Sequence, residues 1–196
     1  WSKSCLWLVG VKVKVIGNEN YDHDGTYVVV SNHASMTDIP AILVGIDLNL
    51  RLVAKEELGR IPIFGWGLHF GDFILIKRGQ NKEALRSLFM AEEKLRDGKS
   101  VHLFADGTRS TDGSIKPFKR GAFLLAARAN VPVLPVTILG SHRITGKGSF
   151  KMFPGTIRLV IDKPIDPSQK SINAADELNR QAFDAVAKNY DLYVSQ

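Results

Sequence analysis

Hydrophobic and polar positions alternate strictly near the start of the chain and then give way to short runs that are apolar throughout. The alternation over residues 11–16 predicts a strand with one face in solvent, whereas the β-branched run over 26–30 predicts a strand covered on both faces. Farther along, apolar residues recur three and four positions apart over 81–96, which predicts an amphipathic helix. Asp97 and Gly98 then predict the end of that helix.

Strand and helix patterns keep alternating along the rest of the chain. Further strands are predicted at 50–54, 73–76, 101–104, 133–139 and 157–161, and further helices at 37–44, 121–129 and 174–193. Pro40 fits its helix only in the first turn, and Pro135 predicts that its strand lies at a sheet edge or carries a bulge. We expect one α/β domain over residues 1–196, with a mainly parallel or mixed central sheet flanked by helices.

Composition narrows the class of protein and of partner. A 196-residue chain with 44% hydrophobic and 23% charged residues suits one folded domain and excludes a disordered one. The 26 Lys and Arg against 20 Asp and Glu give a net charge of +6, which favours a phosphorylated metabolite, an acidic membrane surface or nucleic acid as partner. Cys5 is the only cysteine, which excludes an internal disulfide. Residues 1–10 either end a longer hydrophobic segment or lead into the first strand.

A histidine and an aspartate follow the apolar run at 26–30. His33 and Asp38 are five residues apart, so in a regular helix they would point to different faces. They meet only if His33 lies in the loop and Asp38 in the first turn of the next helix. The aspartate would then accept the Nδ1 proton and leave Nε2 free as a general base. The alternative is that Asp38 caps its helix and His33 merely packs in the loop.

Basic residues recur where other strands are predicted to end. In the segment 104–110, Gly107 lets a ligand approach the backbone, and Arg109 has the planar fork that holds a phosphate. Arg78 follows another strand, and three more basic residues precede the helix at 121–129, namely Lys116, Lys119 and Arg120. Ligands of parallel α/β sheets bind at the carboxyl ends of strands, so we expect an anionic substrate there. Separately solvated surface charges are the alternative.

The connection over residues 55–73 is unusually rich in aromatic and apolar residues. It would either present rings to a membrane interface or an acyl chain, or form a covered core helix.

Other reaction classes lack their sequence motifs in this chain. The chain has no Gly-x-Ser-x-Gly nucleophile motif, no glycine-rich nucleotide-binding loop and no convincing metal-ligand spacing.

Four blocks of residues, in order, resemble the motifs of the lysophosphatidic acid acyltransferase (1-acylglycerol-3-phosphate acyltransferase) family. They are Asn32-His33 through Asp38, 71–78 (GDFILIKR), 104–110 (FADGTRS) and 131–136 (VPVLPV). The resemblance implies a glycerolipid acyltransferase-like fold in which His33, oriented by Asp38, deprotonates the hydroxyl that attacks an acyl thioester, with no acyl-enzyme. It also implies a set of substrate-binding residues, which comprises Lys55, Arg78, Asp106, Gly107, Thr108, Arg109 and Lys119.

The same resemblance implies the partners. The acceptor would be lysophosphatidic acid, and the donor would be acyl-CoA or acyl carrier protein. The reaction would take place at a membrane surface, on its cytoplasmic face. No metal, other cofactor or nucleic acid would take part. Ala105 replaces a usual proline of the family, Asp106 a glutamate, and Lys77 a commonly acidic residue. These departures leave glycerol 3-phosphate or another lysolipid open as acceptor. The rival hypotheses are a thioester hydrolase and a non-catalytic basic domain that binds acidic lipids or nucleic acid.

Overall fold

Seven strands form one mixed sheet in the order β1-β7-β6-β2-β5-β3-β4. The computed structural model describes residues 2–60, 65–66, 70–76, 81–146, 148–149, 151–167 and 173–195. The strands are β1 (Val11–Ile16), β2 (Val28–Ser31), β3 (Leu50–Lys55), β4 (Ile74–Ile76), β5 (Ser100–Phe104), β6 (Val133–Leu139) and β7 (Gly155–Ile161). Adjacent strands are parallel except β6 and β7, which are antiparallel. The predicted α/β class and mixed sheet are confirmed.

Helices cover both faces of this sheet. They are α1 (Ser2–Leu8), α2 (Asp38–Gly45), α3 (Asn81–Arg96), α4 (Gly121–Ala129) and α5 (Ala174–Val194), with 3₁₀ turns at Asn18–Asn20, Glu56–Arg60 and Ser141–Arg143. In β2, Val29 belongs to the core under α1 and α2, whereas Val28 and Val30 belong to the core under α3, α4 and α5. All three valines are fully buried, which confirms the prediction of a doubly covered strand.

The helix boundaries follow the local sequence closely. Helix α3 has the predicted bounds, and it ends before Gly98, whose φ of 72° is the left-handed conformation that glycine adopts readily. Pro40 lies in the first turn of α2, as predicted. No helix in the described part of the chain is both long enough and apolar enough to cross a membrane.

Strand β6 corrects the prediction made from Pro135. The strand is not at an edge, because it pairs with β2 on one side and β7 on the other. The register does show a bulge, but the extra residue lies in the segment that pairs with β6 and not in β6 itself. Val136 pairs with Ile161 and Val133 pairs with Ile165. The three residues 162–164 therefore face only two residues of β6, 134–135. A bulge interrupts the ladder and thus accommodates a residue that has no N–H.

The carboxyl ends of the central strands meet at one edge of the sheet. Ser31 at the end of β2 is in register with Phe104 at the end of β5 and with Val136 in the middle of β6, which continues to Leu139. The loops that follow β2 and β5 carry the histidine and the glycine–arginine segment singled out from the sequence. Strand pairing therefore brings together two motifs that lie more than seventy positions apart.

Most of the apolar connection predicted at 55–73 lies outside the described residues. Within the described part, Trp66 is 64% exposed and Phe70 is 91% exposed. Near the start of the chain, α1 buries Leu6 and leaves Trp7 and Leu8 exposed. Both segments therefore present large apolar side chains at the surface.

Candidate active site

His33 and Asp38 form a hydrogen-bonded pair at the carboxyl edge of the sheet. His33 lies in the loop after β2, and Asp38 is the first residue of α2, as the spacing predicted. The distance from His33 Nδ1 to Asp38 Oδ2 is 2.8 Å. The same oxygen accepts hydrogen bonds of 2.8 Å from the backbone N–H groups of Ala34 and Ser35. Asp38 therefore organises the loop that precedes its helix.

This geometry defines the proton positions in the pair. Because the fully buried Asp38 carboxylate accepts at Nδ1, the neutral imidazole carries its proton there and presents Nε2 as an acceptor. The His33 side chain is 14% exposed, so the ring is shielded but can still be reached. The ring also stacks on Phe104, with centroids 3.7 Å apart and planes 16° apart. The arrangement suits a general base.

The segment after β5 holds the backbone of His33 from both sides. His33 N–H donates to Asp106 Oδ2 at 2.8 Å, and Ser110 N–H donates to the His33 carbonyl at 2.8 Å. The family resemblance implied Asp106 as a substrate-binding residue, but it is only 3% exposed and one of its oxygens accepts from this backbone. We therefore assign Asp106 a positioning role. Ser110 was missed, since nothing in its local sequence marks a contact with His33.

Burial raises the pKa of Asp106 to about 6, and the hydrogen bond from the His33 backbone partly opposes that rise. The other carboxylate oxygen of Asp106 is buried and has no hydrogen-bond partner among the described residues. A charged carboxylate in this position is therefore held at an energetic cost. It titrates near the pH range in which an imidazole also titrates.

Asn32 has a role that its sequence position did not reveal. The sequence placed it only in the first motif block, whereas its side chain donates to the Ile138 carbonyl at 2.9 Å and accepts from the Ile138 N–H at 2.8 Å. The side-chain amide thus makes the pair of hydrogen bonds with Ile138 that the backbone of a neighbouring strand would make, and it holds the loop against β6. It sits beside His33 in the chain, so this pairing also positions the base.

A second histidine lies beneath the site. His102 in β5 is fully buried, and its Nε2 is 2.9 Å from Ser31 Oγ. Burial lowers the pKa of His102 to about 3, with a further lowering from the nearby His33. His102 is therefore neutral at physiological pH. The sequence suggested only a strand residue here, because nothing local distinguishes a buried histidine from an exposed one.

Basic side chains surround the turn that follows β5. Lys119 N–H donates to the Ala105 carbonyl at 2.7 Å, and its side chain passes over Gly107, where an added Cβ would lie 2.8 Å from Lys119 Cδ. Gly107 also has a φ of 72°. Both the left-handed backbone and the close Lys119 side chain therefore require glycine at this position. Lys116 reaches the Arg109 carbonyl at 3.4 Å. The turn therefore carries concentrated positive charge close to His33.

The other predicted binding residues differ in what the structure shows. Thr108 is exposed on the same turn, and Arg109 is half-buried. Lys55 is the last residue of β3, but its side chain is outside the described part, and Arg78 lies outside the described residues altogether. Arg120, predicted with the basic group before α4, instead pairs with Asp176 of α5 at 3.0 Å.

Two comparisons of sequence identify the family. A family model described as Acyltransferase matches residues 12–139. The chain is also 34% identical over 187 residues to a 1-acyl-sn-glycerol-3-phosphate acyltransferase of Pseudomonas aeruginosa, covering 93% of this chain and 72% of that protein. This chain belongs to the acyltransferase family. The resemblance drawn from the four motif blocks is confirmed.

Further relatives agree with this assignment. The chain is 35% identical over 183 residues to the chloroplastic 1-acyl-sn-glycerol-3-phosphate acyltransferase LPAT1 of Arabidopsis thaliana, covering 92% of this chain. It spans about half the length of LPAT1 and of the relatives from Brassica napus and Chlamydomonas reinhardtii. The crystal structure of the 1-acyl-sn-glycerophosphate acyltransferase PlsC from Thermotoga maritima superimposes with a TM-score of 0.86. That protein is 33% identical, and the match covers all of this chain and 77% of that one.

Proposed function

We propose that this protein transfers a fatty acyl group from a thioester to the free hydroxyl of lysophosphatidic acid, giving phosphatidic acid. The observation that carries the proposal is the His33–Asp38 hydrogen bond of 2.8 Å at the carboxyl edge of the sheet. The names of the acyltransferase relatives support this choice of acceptor. Glycerol 3-phosphate remains the alternative acceptor, because Ala105 and Asp106 depart from the family pattern.

The geometry supports a direct transfer. Nε2 of His33 takes the proton of the acceptor hydroxyl, and the hydroxyl oxygen then attacks the thioester carbonyl carbon. When the tetrahedral intermediate collapses, the carbon–sulfur bond breaks and the thiolate takes the proton from Nε2. The Asp38 carboxylate stabilises the imidazolium that exists between these proton transfers. The mechanism needs no covalent acyl-enzyme, metal or other cofactor.

The acceptor phosphate has candidate partners around the turn after β5. Arg109 can bind two phosphate oxygens through its fork, and Lys119 places an ammonium group beside Gly107. Lys55 is included in this proposed site on the family resemblance alone, and Arg78 on that resemblance and on its position after a predicted strand. The donor is acyl-CoA or acyl carrier protein. The substrates meet at a membrane surface on its cytoplasmic face, and nucleic acid is not a partner.

Thiol release from acyl-CoA tests the proposal. We expect release that requires lysophosphatidic acid and that falls by about 10²–10⁴-fold in His33→Ala, since that is the usual contribution of a general base. His23→Ala is the matched control, because His23 is an exposed histidine away from the site. Circular dichroism would establish that both variants fold. Release without acceptor would indicate a hydrolase, and near-normal turnover by folded His33→Ala would refute the mechanism.

Arg109→Ala tests the phosphate contact separately. A charge-assisted hydrogen bond is typically worth about 1.5–3 kcal/mol, so we expect the KM for lysophosphatidic acid to rise about 10-fold to 100-fold with a smaller change in kcat. Arg180→Ala is the control, since Arg180 is exposed on α5 and pairs with Asp184. An unchanged acceptor KM in Arg109→Ala would place the phosphate elsewhere.

A further inference from the structure

A cavity of about 580 Å³ lies beside the His33 loop, on the side of β6 and β7. Its volume is within the usual range for pockets that hold small molecules. Ala34, the residue after His33, forms part of its wall, and so does Gly113. Arg109 and Lys119, the two predicted phosphate-binding residues whose side chains the structure describes, do not line it.

The wall of this cavity is connected to the catalytic loop by hydrogen bonds. Ser110 N–H donates to the His33 carbonyl, while Ser110 Oγ accepts from Gly113 N–H at 2.9 Å. Gly113 has a φ of 86°, and a Cβ there would lie 2.5 Å from Nδ1 of His142. The glycine thus lets the His142 ring close the wall. A ligand in the cavity would therefore lie one residue away from the proposed base.

Arginine side chains outnumber carboxylates in the lining of the cavity. Arg143 projects from the 3₁₀ turn after β6, and Arg158 from β7. Within the part of the chain that the structure describes, neither guanidinium is ion-paired with a carboxylate. Asp112 also lines the cavity, but its carboxylate accepts hydrogen bonds from the backbone N–H and hydroxyl of Ser114 at 3.0 and 2.6 Å. The lining thus includes two guanidinium groups without an ion pair to a described carboxylate, and one carboxylate that is already hydrogen-bonded.

Two aromatic side chains complete the lining. Tyr190 and Tyr193 reach the cavity from α5, and the Arg158 guanidinium lies 5.3 Å from the centroid of the Tyr193 ring. Aromatic rings and guanidinium planes bind flat bases by stacking, and guanidinium groups also bind phosphates. A lysophospholipid headgroup has a phosphate but no base. The combination is therefore better matched to a phosphorylated nucleotide.

We propose that this cavity binds the adenine nucleotide of an acyl-CoA donor, so that the thioester extends from there toward His33. The proposal rests on the proposed acyl transfer and makes coenzyme A, rather than a carrier protein, the donor carrier. It also assigns the two substrates to different residues. Arg143 and Arg158 hold the donor nucleotide, and Arg109 and Lys119 hold the acceptor phosphate.

Calorimetric binding of adenosine 3′,5′-bisphosphate to the full chain tests the site without turnover. We expect binding tighter than that of inorganic phosphate, and a Kd at least about tenfold higher in Arg143→Ala and in Arg158→Ala. Arg180→Ala should bind as the unaltered protein does. Arg143 is exposed in a turn, so that variant carries the test if Arg158→Ala does not fold. Binding no tighter than phosphate, or unaffected by Arg143→Ala, would overturn the proposal.

Kinetics then separates this proposal from the proposed function. In Arg143→Ala the KM should rise for acyl-CoA but not for lysophosphatidic acid or for an acyl pantetheine thioester, which lacks the nucleotide. A rise in the KM for lysophosphatidic acid instead would assign the cavity to the acceptor and overturn the proposal. Nucleotide binding without any acyl transfer would overturn the proposed function and keep the site. Acyl transfer in which the KM for acyl-CoA is the same in Arg143→Ala as in the unaltered protein would overturn the nucleotide site and keep the proposed function.

Discussion

Replacing Asp38 by asparagine separates the charge of this residue from its shape. Asp38 Oδ2 accepts three hydrogen bonds, from His33 Nδ1 and from the N–H groups of Ala34 and Ser35. The two backbone donors require an oxygen at that position, so the amide of the variant should turn its oxygen toward them and toward His33. The imidazole then keeps its proton on Nδ1, and Nε2 remains an acceptor. What disappears is the negative charge.

The size of the effect follows from that orientation. A pair of unit charges about 4 Å apart at an effective dielectric constant near 20 attracts by about 4 kcal/mol. Losing that stabilisation of the imidazolium should lower kcat on the order of 10²–10³-fold. An amide turned the other way would move the imidazole proton to Nε2, and a reversed tautomer costs about 10⁴-fold in comparable hydrolases. The two orientations thus predict different rates.

The assay is thiol release at saturating acyl-CoA and lysophosphatidic acid, with thermal unfolding monitored by circular dichroism. Asp47→Asn is the matched control, since Asp47 also lies near a histidine nitrogen, 3.6 Å from His23 Nδ1, but is exposed at the surface. We expect the control to be fully active. A folded Asp38→Asn protein with kcat within tenfold of the original would refute the role of the charge. A loss beyond 10⁴-fold would refute the retained tautomer.

Two further predictions concern stability. Because burial raises the pKa of Asp106 from 3.8 to about 6, the native state binds this proton more tightly than the unfolded chain; its contribution to the free energy of unfolding should rise by up to about 3 kcal/mol as pH falls from about 6 to 4. In urea unfolding, Asp106→Asn should lack that rise in the free energy of unfolding. An identical pH dependence in the variant and the unaltered protein would contradict the prediction. Buried His102 makes an opposing contribution, but that contribution is the same in both proteins. Asn32→Ala leaves the buried Ile138 N–H and carbonyl without partners, so it should cost about 2–5 kcal/mol in the same assay, and a loss under 1 kcal/mol would show that the pair is replaceable.

Local sequence determined most of the elements of this protein, although helix α1 (Ser2–Leu8) was not predicted. The bounds of α3 and α4 and the doubly buried character of β2 follow from periodicity and from the residues that end each segment. The placement of His33 in a loop and Asp38 in a first turn also followed, because the five-residue spacing allows a contact in no other local geometry. These signals act over a few residues, so one sequence is enough to detect them.

Tertiary structure decided which distant groups meet. Asn32 pairs with Ile138, 106 positions away, and His102 lies under the site because β5 joins β2. Pro135 lies in an interior strand, at the point where the segment that pairs with β6 contains one extra residue. The cavity beside the site is likewise lined by residues of both β7 and α5, which are far apart in the sequence. Strand order depends on how all the apolar faces are buried together, and no local pattern encodes that competition.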